Sequence, residues 1–527
     1  MTCASGIAFC LLNLLAERGV RDIVVAPGAR SQALALAAVA LERAGLVRLT
    51  VRIDERVAAF TAFGMAKALD SPAVVITTSG SAVANLYPAV VEASHSFVPL
   101  IVITADRPRE LHGKRSNQTM NQEKFFSHWV RFFCHIEQDV PGERVIDSAL
   151  QAALGVSSLR GAGPGPVHIN VAFDNPLSCA HAVQPGDNKG SALKHKKVLR
   201  SKRETLALRK DDPPTVIIAG TGSGRRPADI ACATGWPLVA EISSGSRFGP
   251  FLIKNYRNWL TENSLDIRRA IVFGHPTLSS EIPTFLTKRN IDTIVVAPFG
   301  REFYNPSGTA RPVANVLVDE DSFSGIPLGA AKFASASAGC ISQDVISSDR
   351  PRGHRVTRQQ LVSEIWNITK EDEILFFGSS QLIRVADSIL PGKRVTVFAN
   401  RGLSGIDGNL STAAGIAIAT NRTTRVLVGD LTGVHDIGAL LIPLMEAKYR
   451  LQIVIGNDFG GGIFDTLEVH ATPSDYKRVL YVPCRVDFRL VSHAFGWKYT
   501  FCPDPNSLRK ALKSRIFPHL LEVHLAV

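Results

Sequence analysis

Long apolar runs, paired cysteines and histidine clusters are all missing from this chain. Across its 527 residues no apolar run reaches the roughly 18 residues that a membrane span needs. Eight cysteines are scattered without one C-x-x-C, which reads as free thiols in a reducing cytosol and argues against a disulfide framework. Met1 to Cys10 lacks a basic segment and a cleavage-type pattern, so no signal peptide is expected. The histidines show no metal-ligand spacing. The absence of G-x-S-x-G, Walker A and H-E-x-x-H strings removes the corresponding hydrolase, nucleotide and zinc-protease readings. What the chain does have is apolar content: 45% of residues, enough for about two to four domains with ample cores.

The formal charge of +12 suggests nucleic acid until its distribution is considered. Residues 189–210 hold nine Lys or Arg and one Glu, a net +8, which leaves only +4 on everything else. That segment has no interleaved aromatics for base stacking, so it reads as a solvated linker and no nucleic-acid partner is expected.

Short buried runs alternate with helical patterns, the signature of parallel α/β sheets. In the first unit, 1–181, strands are expected at Ile23–Ala26, Leu49–Ile53, Val74–Thr77, Leu100–Ala105 and Val167–Val171, with helices at Leu34–Arg43 and Val57–Leu69. A basic linker, 182–213, precedes a central unit, 214–345. There Thr215–Ala219 runs into Gly220-Thr221-Gly222-Ser223-Gly224, whose third glycine comes one place early for a dinucleotide loop. A low-hydrophobicity stretch, Ser335–Thr357, leads into a third unit, 357–527. Its expected strands are Ile374–Phe377, Val395–Phe398, Val426–Val428, Leu451–Ile455 and Leu520–Val523, with a helix over Val434–Tyr449. The fold class is α/β: three α/β domains with mainly parallel sheets.

The most informative spacing is Gly429-Asp430-Leu431-Thr432 followed, 28 positions after Asp430, by Asp458 in Gly456-Asn457-Asp458-Phe459-Gly460-Gly461-Gly462. Each acid ends an apolar strand, where ligands of parallel sheets bind. Two such carboxylates can share a hard divalent cation, and the glycines let backbone approach a phosphate. The alternative for each acid alone is helix capping or turn formation. Glu55, in Val51-Arg52-Ile53-Asp54-Glu55-Arg56, is either a helix N-terminal charge or a proton donor to a heterocycle nitrogen; the residue alone does not choose. Arg30, Arg107, Asn117 and Gln118, with Arg384 and Arg401 in the third unit, suit substrates with more than one carboxylate, or else surface ion pairs. Asn400 to Gly408 has three glycines in seven positions and carries Ile406, which either packs or presses on a cofactor.

Taken together these strings resemble the thiamine diphosphate-dependent enzyme family, whose motif is G-D followed by N-N or N-D. Within it they resemble the 2-succinyl-5-enolpyruvyl-6-hydroxy-3-cyclohexene-1-carboxylate synthases of menaquinone biosynthesis. The specific matches are Ala26–Ser31, Arg52–Arg56, Thr77–Leu86, Thr104–Pro108, Asn117-Gln118, Asn400–Gly408 and Gly461–Phe464. The resemblance implies a thiamine diphosphate-binding fold of pyrimidine-binding (1–181), central (214–345) and diphosphate-binding (357–527) domains. It also implies a cytoplasmic enzyme, at least a homodimer, with active sites shared between subunits. The cofactors would be thiamine diphosphate with Mg2+ (or Mn2+), and the substrates 2-oxoglutarate, to be decarboxylated, and isochorismate, the acceptor. Glu55 would activate the cofactor as the catalytic residue. Ser79, Gly80, Ile406, Asp430, Leu431, Gly460, Gly461 and Ile463 would also bind the cofactor, and Asp430, Asp458 and the Gly460 carbonyl would hold the metal. Arg30, Arg107, Asn117, Gln118, Ser380, Arg384, Arg401, Ile463 and Phe464 would line the substrate site. Three departures stand out: Ala29 where the family has Ser, Phe459 where a polar residue is common, and Asp458 where many relatives have Asn. The competing readings are an acetolactate-synthase-type carboligase acting on pyruvate and a catalytically silent phosphate-binding protein.

Overall fold

A computed structural model describes residues 3–526 except 138–140, 157–162, 179–202, 263, 265, 289, 301 and 324–354. The boundary at 181/182, most of the basic linker and most of the low-hydrophobicity stretch lie outside the described residues. Residues 203–213, at the linker's end, do hold structure: a strand over Thr205–Leu208.

Three principal sheets are present, and every strand pairing in them is parallel. The first contains β1 (Asp22–Val25), β2 (Arg48–Val51), β3 (Ala73–Thr77), β4 (Leu100–Asp106), β5 (Phe132–Glu137) and β6 (Val167–Ala172), in the order β2-β1-β3-β4-β6-β5. The second strand group comprises β7 (Thr205–Leu208), β8 (Thr215–Ala219), β9 (Leu238–Ala240), β10 (Arg269–Phe273), β11 (Asp292–Val296), β12 (Arg311–Val313) and β13 (Asn315–Val318). It forms a sheet β12-β11-β10-β8-β9 and a separate pair β13-β7. The third contains β14 (Ile374–Phe377), β15 (Thr396–Phe398), β16 (Thr424–Gly429), β17 (Leu451–Asn457), β18 (Lys498–Cys502) and β19 (His519–His524), in the order β15-β14-β16-β17-β19-β18. The first and third sheets thus share one strand order. β3, β4, β6, β14 and β17 are buried along their whole length, as expected of apolar runs covered by helices on both faces. The expected glycine-rich loop after β8 closes as a packed turn: a Cβ at Gly220 would lie 2.2 Å from the Pro276 nitrogen.

Contacts divide the chain into two compact units. One contains residues 1–199, 402–421 and 435–450, and the other 200–401, 422–434 and 451–527. In the first, the helix Asn409–Thr420 packs on the helix Glu55–Leu69 with almost no space between backbones. A Cβ on Gly64 would lie 2.0 Å from the Thr412 carbonyl oxygen, and one on Gly415 2.0 Å from that of Thr61. The helix expected over Val434–Tyr449 does not form. A short helix Asp430–His435 and a 3-10 turn Ile437–Leu440 end before Pro443, which disfavours helical geometry at the residue before it and cannot donate within a helix.

In the second unit, Arg425 of β16 lies inside the sheet, 1% exposed. It is paired with Glu373, which Arg515 Nη1 also reaches at 2.6 Å, and its Nε donates to Gln452 Oε1 at 3.0 Å. Burial pushes the Glu373 carboxyl up, but the Arg425 hydrogen bond, the Lys370 N–H and Arg515 outweigh it and hold it at about 2 against an ordinary 4.5. A depressed carboxyl contributes stability that is present above 4.5 and lost as pH falls through about 2. Glu373→Gln is therefore expected to lower unfolding free energy at neutral pH by on the order of 3 kcal/mol. The deficit relative to wild type should shrink in acid, measured by denaturant melts at a series of pH values. A deficit constant down to about pH 2.5 would show that the charge of Glu373 is not what matters.

Candidate functional site

The expected site residues cluster at the carboxyl ends of strands, in two groups, one in each compact unit.

In the first unit, Asp54 caps the helix Glu55–Leu69, accepting from the N–H groups of Arg56 (2.8 Å) and Val57 (3.2 Å). With capping done by its neighbour, Glu55 is spared that role. It is half-buried, and its Oε2 accepts a long bond from Asn85 Nδ2 at 3.4 Å. Beyond β3, Ser79 and Gly80 turn sharply, with Gly80 at φ +80°, a conformation that suits glycine. Gln118, also left-handed at φ 55°, locks that turn: Ser79 Oγ donates to its carbonyl (3.1 Å) and its Nε2 donates to the Ser79 carbonyl (3.0 Å). Arg107, buried at the end of β4, donates to Ser79 Oγ. Its guanidinium is pushed down from its ordinary value by burial and by the like charge of Arg30. The adjacent buried Asp106 pulls the other way and favours the charged guanidinium. Arg30 itself donates to the Phe173 carbonyl at 2.9 Å, and its Nε is buried without a hydrogen-bond partner. Asn117 is exposed, and only its carbonyl is engaged in this loop, by Thr119 Oγ1 at 3.1 Å.

Gln122, which no sequence pattern marks, ties this region to the sheet. Its side chain accepts from Gly80 N (3.0 Å) and donates to the Ala105 carbonyl (3.2 Å) and Asn170 Oδ1 (2.9 Å). Asn170 donates on to Asp106 Oδ2 at 2.8 Å, so a buried polar network fixes the residue before Arg107. At Ala29, where the hydroxyl is missing, Gln32 donates to the backbone carbonyl (3.1 Å) and Ser31 to that of Gly28 (3.1 Å). The Asn400–Gly408 turn splits between the units. Its later part is held by the buried carboxylate of Glu92, which accepts from the N–H groups of Gly402 (2.9 Å) and Leu403 (2.7 Å). Ile406 stands exposed on it at 39%.

In the second unit, Asp430 follows β16 and Asp458 follows β17, adjacent strands in register Gly429 to Gly456. Both carboxylates are buried. Asp430 Oδ1 accepts from Leu431 N at 2.8 Å, while Oδ2 is buried with no hydrogen-bond partner. Burial, then the Asp458 charge, push the Asp430 carboxyl up to about 7, against the pull of the Leu431 and Gly460 N–H groups. An orphaned, destabilised carboxylate beside a second one fits a divalent cation. No group of three or more His, Cys, Asp or Glu suited to a metal exists among the described residues. The pair would therefore need a backbone carbonyl, phosphate oxygens and water to complete a coordination shell, which suits magnesium. The Gly460 carbonyl also accepts from Gly462 N at 3.0 Å, which leaves its second lone pair.

Tyr481, another residue without a sequence signal, shapes the glycine run. Its hydroxyl donates to the Asp458 carbonyl (2.6 Å), its carbonyl accepts from Gly461 N (2.5 Å), and a Cβ on Gly460 would lie 2.5 Å from its ring. The Phe459 ring packs edge-on against His524, centroids 4.8 Å apart. This accounts for a tolerated apolar residue there. Ile463 and Phe464 lie half-buried in the 3-10 turn that follows. Ser380 caps the helix Gln381–Ile389, accepting from Leu382 N at 3.1 Å, and its Cβ lies 3.9 Å from the Cβ position of Gly429. The two arginines differ. Arg384 is exposed, whereas Arg401 is buried and donates to Thr277 Oγ1 (2.9 Å) and the Thr277 carbonyl (3.1 Å).

Comparison with known proteins bears on this geometry. Residues 7–125 match the family described as thiamine pyrophosphate enzyme, N-terminal TPP binding domain. A 2-succinyl-5-enolpyruvyl-6-hydroxy-3-cyclohexene-1-carboxylate synthase of Leifsonia xyli subsp. xyli is 43% identical, covering 97% of this chain and 94% of its own. The synthase of the same name from Clavibacter michiganensis subsp. michiganensis is 41% identical, over 98% of this chain and 95% of its own. That from Renibacterium salmoninarum is 38% identical, over 96% and 91%.

Proposed function

We infer, because this chain belongs to the 2-succinyl-5-enolpyruvyl-6-hydroxy-3-cyclohexene-1-carboxylate synthase family, that it is a thiamine diphosphate-dependent transferase of menaquinone biosynthesis. It decarboxylates 2-oxoglutarate and adds the remaining four-carbon unit to isochorismate. The observation that carries the site assignment is the buried, partnerless Asp430 Oδ2 beside Asp458. Thiamine diphosphate, when bound, supplies the electron sink for decarboxylation and carbon–carbon bond formation. The chain's residues bind and orient. Asp430, Asp458 and the Gly460 carbonyl would hold the magnesium or manganese that the diphosphate needs. Glu55 would exchange a proton with the aminopyrimidine nitrogen. Arg30, whose Nε is buried without a hydrogen-bond partner, and Arg107 would receive a substrate carboxylate. The enzyme acts in the cytoplasm, as a homodimer with shared sites. No helix among the described residues is long and apolar enough to cross a membrane.

The deciding assay is carbon dioxide release from 2-oxoglutarate with thiamine diphosphate and magnesium, with product formation when isochorismate is added. A preference for pyruvate would move the chain to the acetolactate-type carboligases, and no release from either acid would leave a silent binding protein. The two arginines give the assay resolution. Exposed Arg384 is free to meet the second carboxylate of 2-oxoglutarate, which pyruvate lacks. Arg384→Ala is expected to reduce kcat/KM for 2-oxoglutarate roughly 10- to 100-fold, the worth of one charge-assisted contact, and to leave pyruvate turnover nearly unchanged. Arg401→Ala should depress both substrates, because it also frees the Thr277 anchor. Equal losses for both acids in Arg384→Ala would reject it as the selectivity residue.

A further inference from the structure

Asp458 brings a second negative charge beside Asp430, and the chain answers it. Arg358, the first residue of the helix Arg358–Ile368, donates from Nη2 to Asp458 Oδ2 at 2.5 Å, with side-chain exposures of 18% and 10%. The two residues are 100 positions apart, and the contact is held from several directions. A capping box between Thr357 and Gln360 fixes the start of the helix. Val356, just before it, bridges to Leu525. Tyr481 holds the Asp458 carbonyl. Gly462 passes so close that a Cβ there would lie 2.6 Å from Asp458 Oδ2 and 2.8 Å from Arg358 Nη2. An arginine in the first turn opposes the helix dipole, so the helix alone does not favour it there. Its favourable interaction is with Asp458.

We propose that Arg358 is a positioning residue for the cation–diphosphate site. By engaging Oδ2 of Asp458 it leaves Oδ1 to the cation, and it offsets the second negative charge of the acidic pair. Asp430, Asp458 and Arg358 together then present one net negative charge, as an Asp–Asn pair would without the arginine. The inference rests on the assignment of the acidic pair made under Proposed function.

The test is a double-mutant cycle read by calorimetry, with thiamine diphosphate titrated into the full-length protein at saturating and at zero magnesium. Arg358→Ala is expected to weaken magnesium-dependent binding about tenfold on the Asp458 background and less than about threefold once Asp458→Asn is in place. Arg358→Lys, which keeps the charge and loses the guanidinium fork, should fall between wild type and Ala, and it carries the cycle if the Ala variant does not fold. Equal losses on both backgrounds, or no loss on either, overturn the proposal, since Arg358 would then act on the fold or not at all. Wild-type binding that ignores magnesium would instead overturn the site assignment itself, a result distinct from an uncoupled cycle.

Discussion

Replacing Glu55 by Gln is expected to leave a folded protein that still binds thiamine diphosphate and turns over slower by on the order of 10²-fold or more. The substitution keeps the length and hydrogen-bonding capacity of the side chain and removes only its ability to take or give a proton. The cap of this helix is the neighbouring residue. Asp54 accepts from both Arg56 N and Val57 N, so the orphan donors of this helix do not depend on Glu55. The paired variant makes the point sharply. Asp54→Ala should cost about 0.5–2 kcal/mol of stability, with a much smaller effect on turnover than Glu55→Gln. Calorimetry of cofactor binding, thermal melting and steady-state rates distinguish the two variants. Near-normal turnover by Glu55→Gln would end the assignment, and a joint loss of cofactor binding and fold would return Glu55 to a structural role.

Strands buried on both faces were legible because each is a continuous apolar run: Thr215–Ala219 and Ile374–Phe377 form with the expected bounds, and β1, β3 and β4 within one residue of them. The strand at β5 was not legible. Phe132–Glu137 mixes Cys, His and Glu with apolar residues and is mostly half-buried, so it carries neither a continuous run nor a clean alternation. β18 escapes for the same reason: it is an edge strand with one fully buried residue. In the site, residues within a few positions of a strand end could be read, because the chain direction alone puts them on the ligand side. Gln122, Tyr481 and Arg358 could not. They reach the Gly80, Gly460 and Asp458 loops across 42, 20-odd and 100 positions, and no local spacing announces such contacts. The expected helix over Val434–Tyr449 failed on a local signal that was present, Pro443, and was outweighed by apolar periodicity.

Removing the charge of Asp430 is expected to abolish the link between magnesium and cofactor. In the cofactor-free protein Asp430 is a cost: a buried carboxylate with one oxygen unpartnered and a second carboxylate, Asp458, adding repulsion. Asp458 has Arg358 to offset it, whereas the groups that favour the Asp430 carboxylate are backbone N–H groups. A divalent cation with diphosphate is what would turn that cost into binding energy. Asp430→Asn keeps a side-chain oxygen for the Leu431 N–H while discarding the charge. Two opposite shifts follow. Without cofactor the variant should melt higher than wild type, because an unpaired buried charge is gone. With cofactor and magnesium it should show the smaller stabilisation, since added stability tracks ligand affinity, and its thiamine diphosphate affinity should fall on the order of 10²-fold and cease to respond to magnesium. Thermal melts with and without ligands, together with calorimetry over a magnesium series, measure both. An asparagine variant that melts lower without cofactor would mean that Asp430 serves the fold. A variant whose cofactor affinity still rises with magnesium would mean that the cation is held elsewhere.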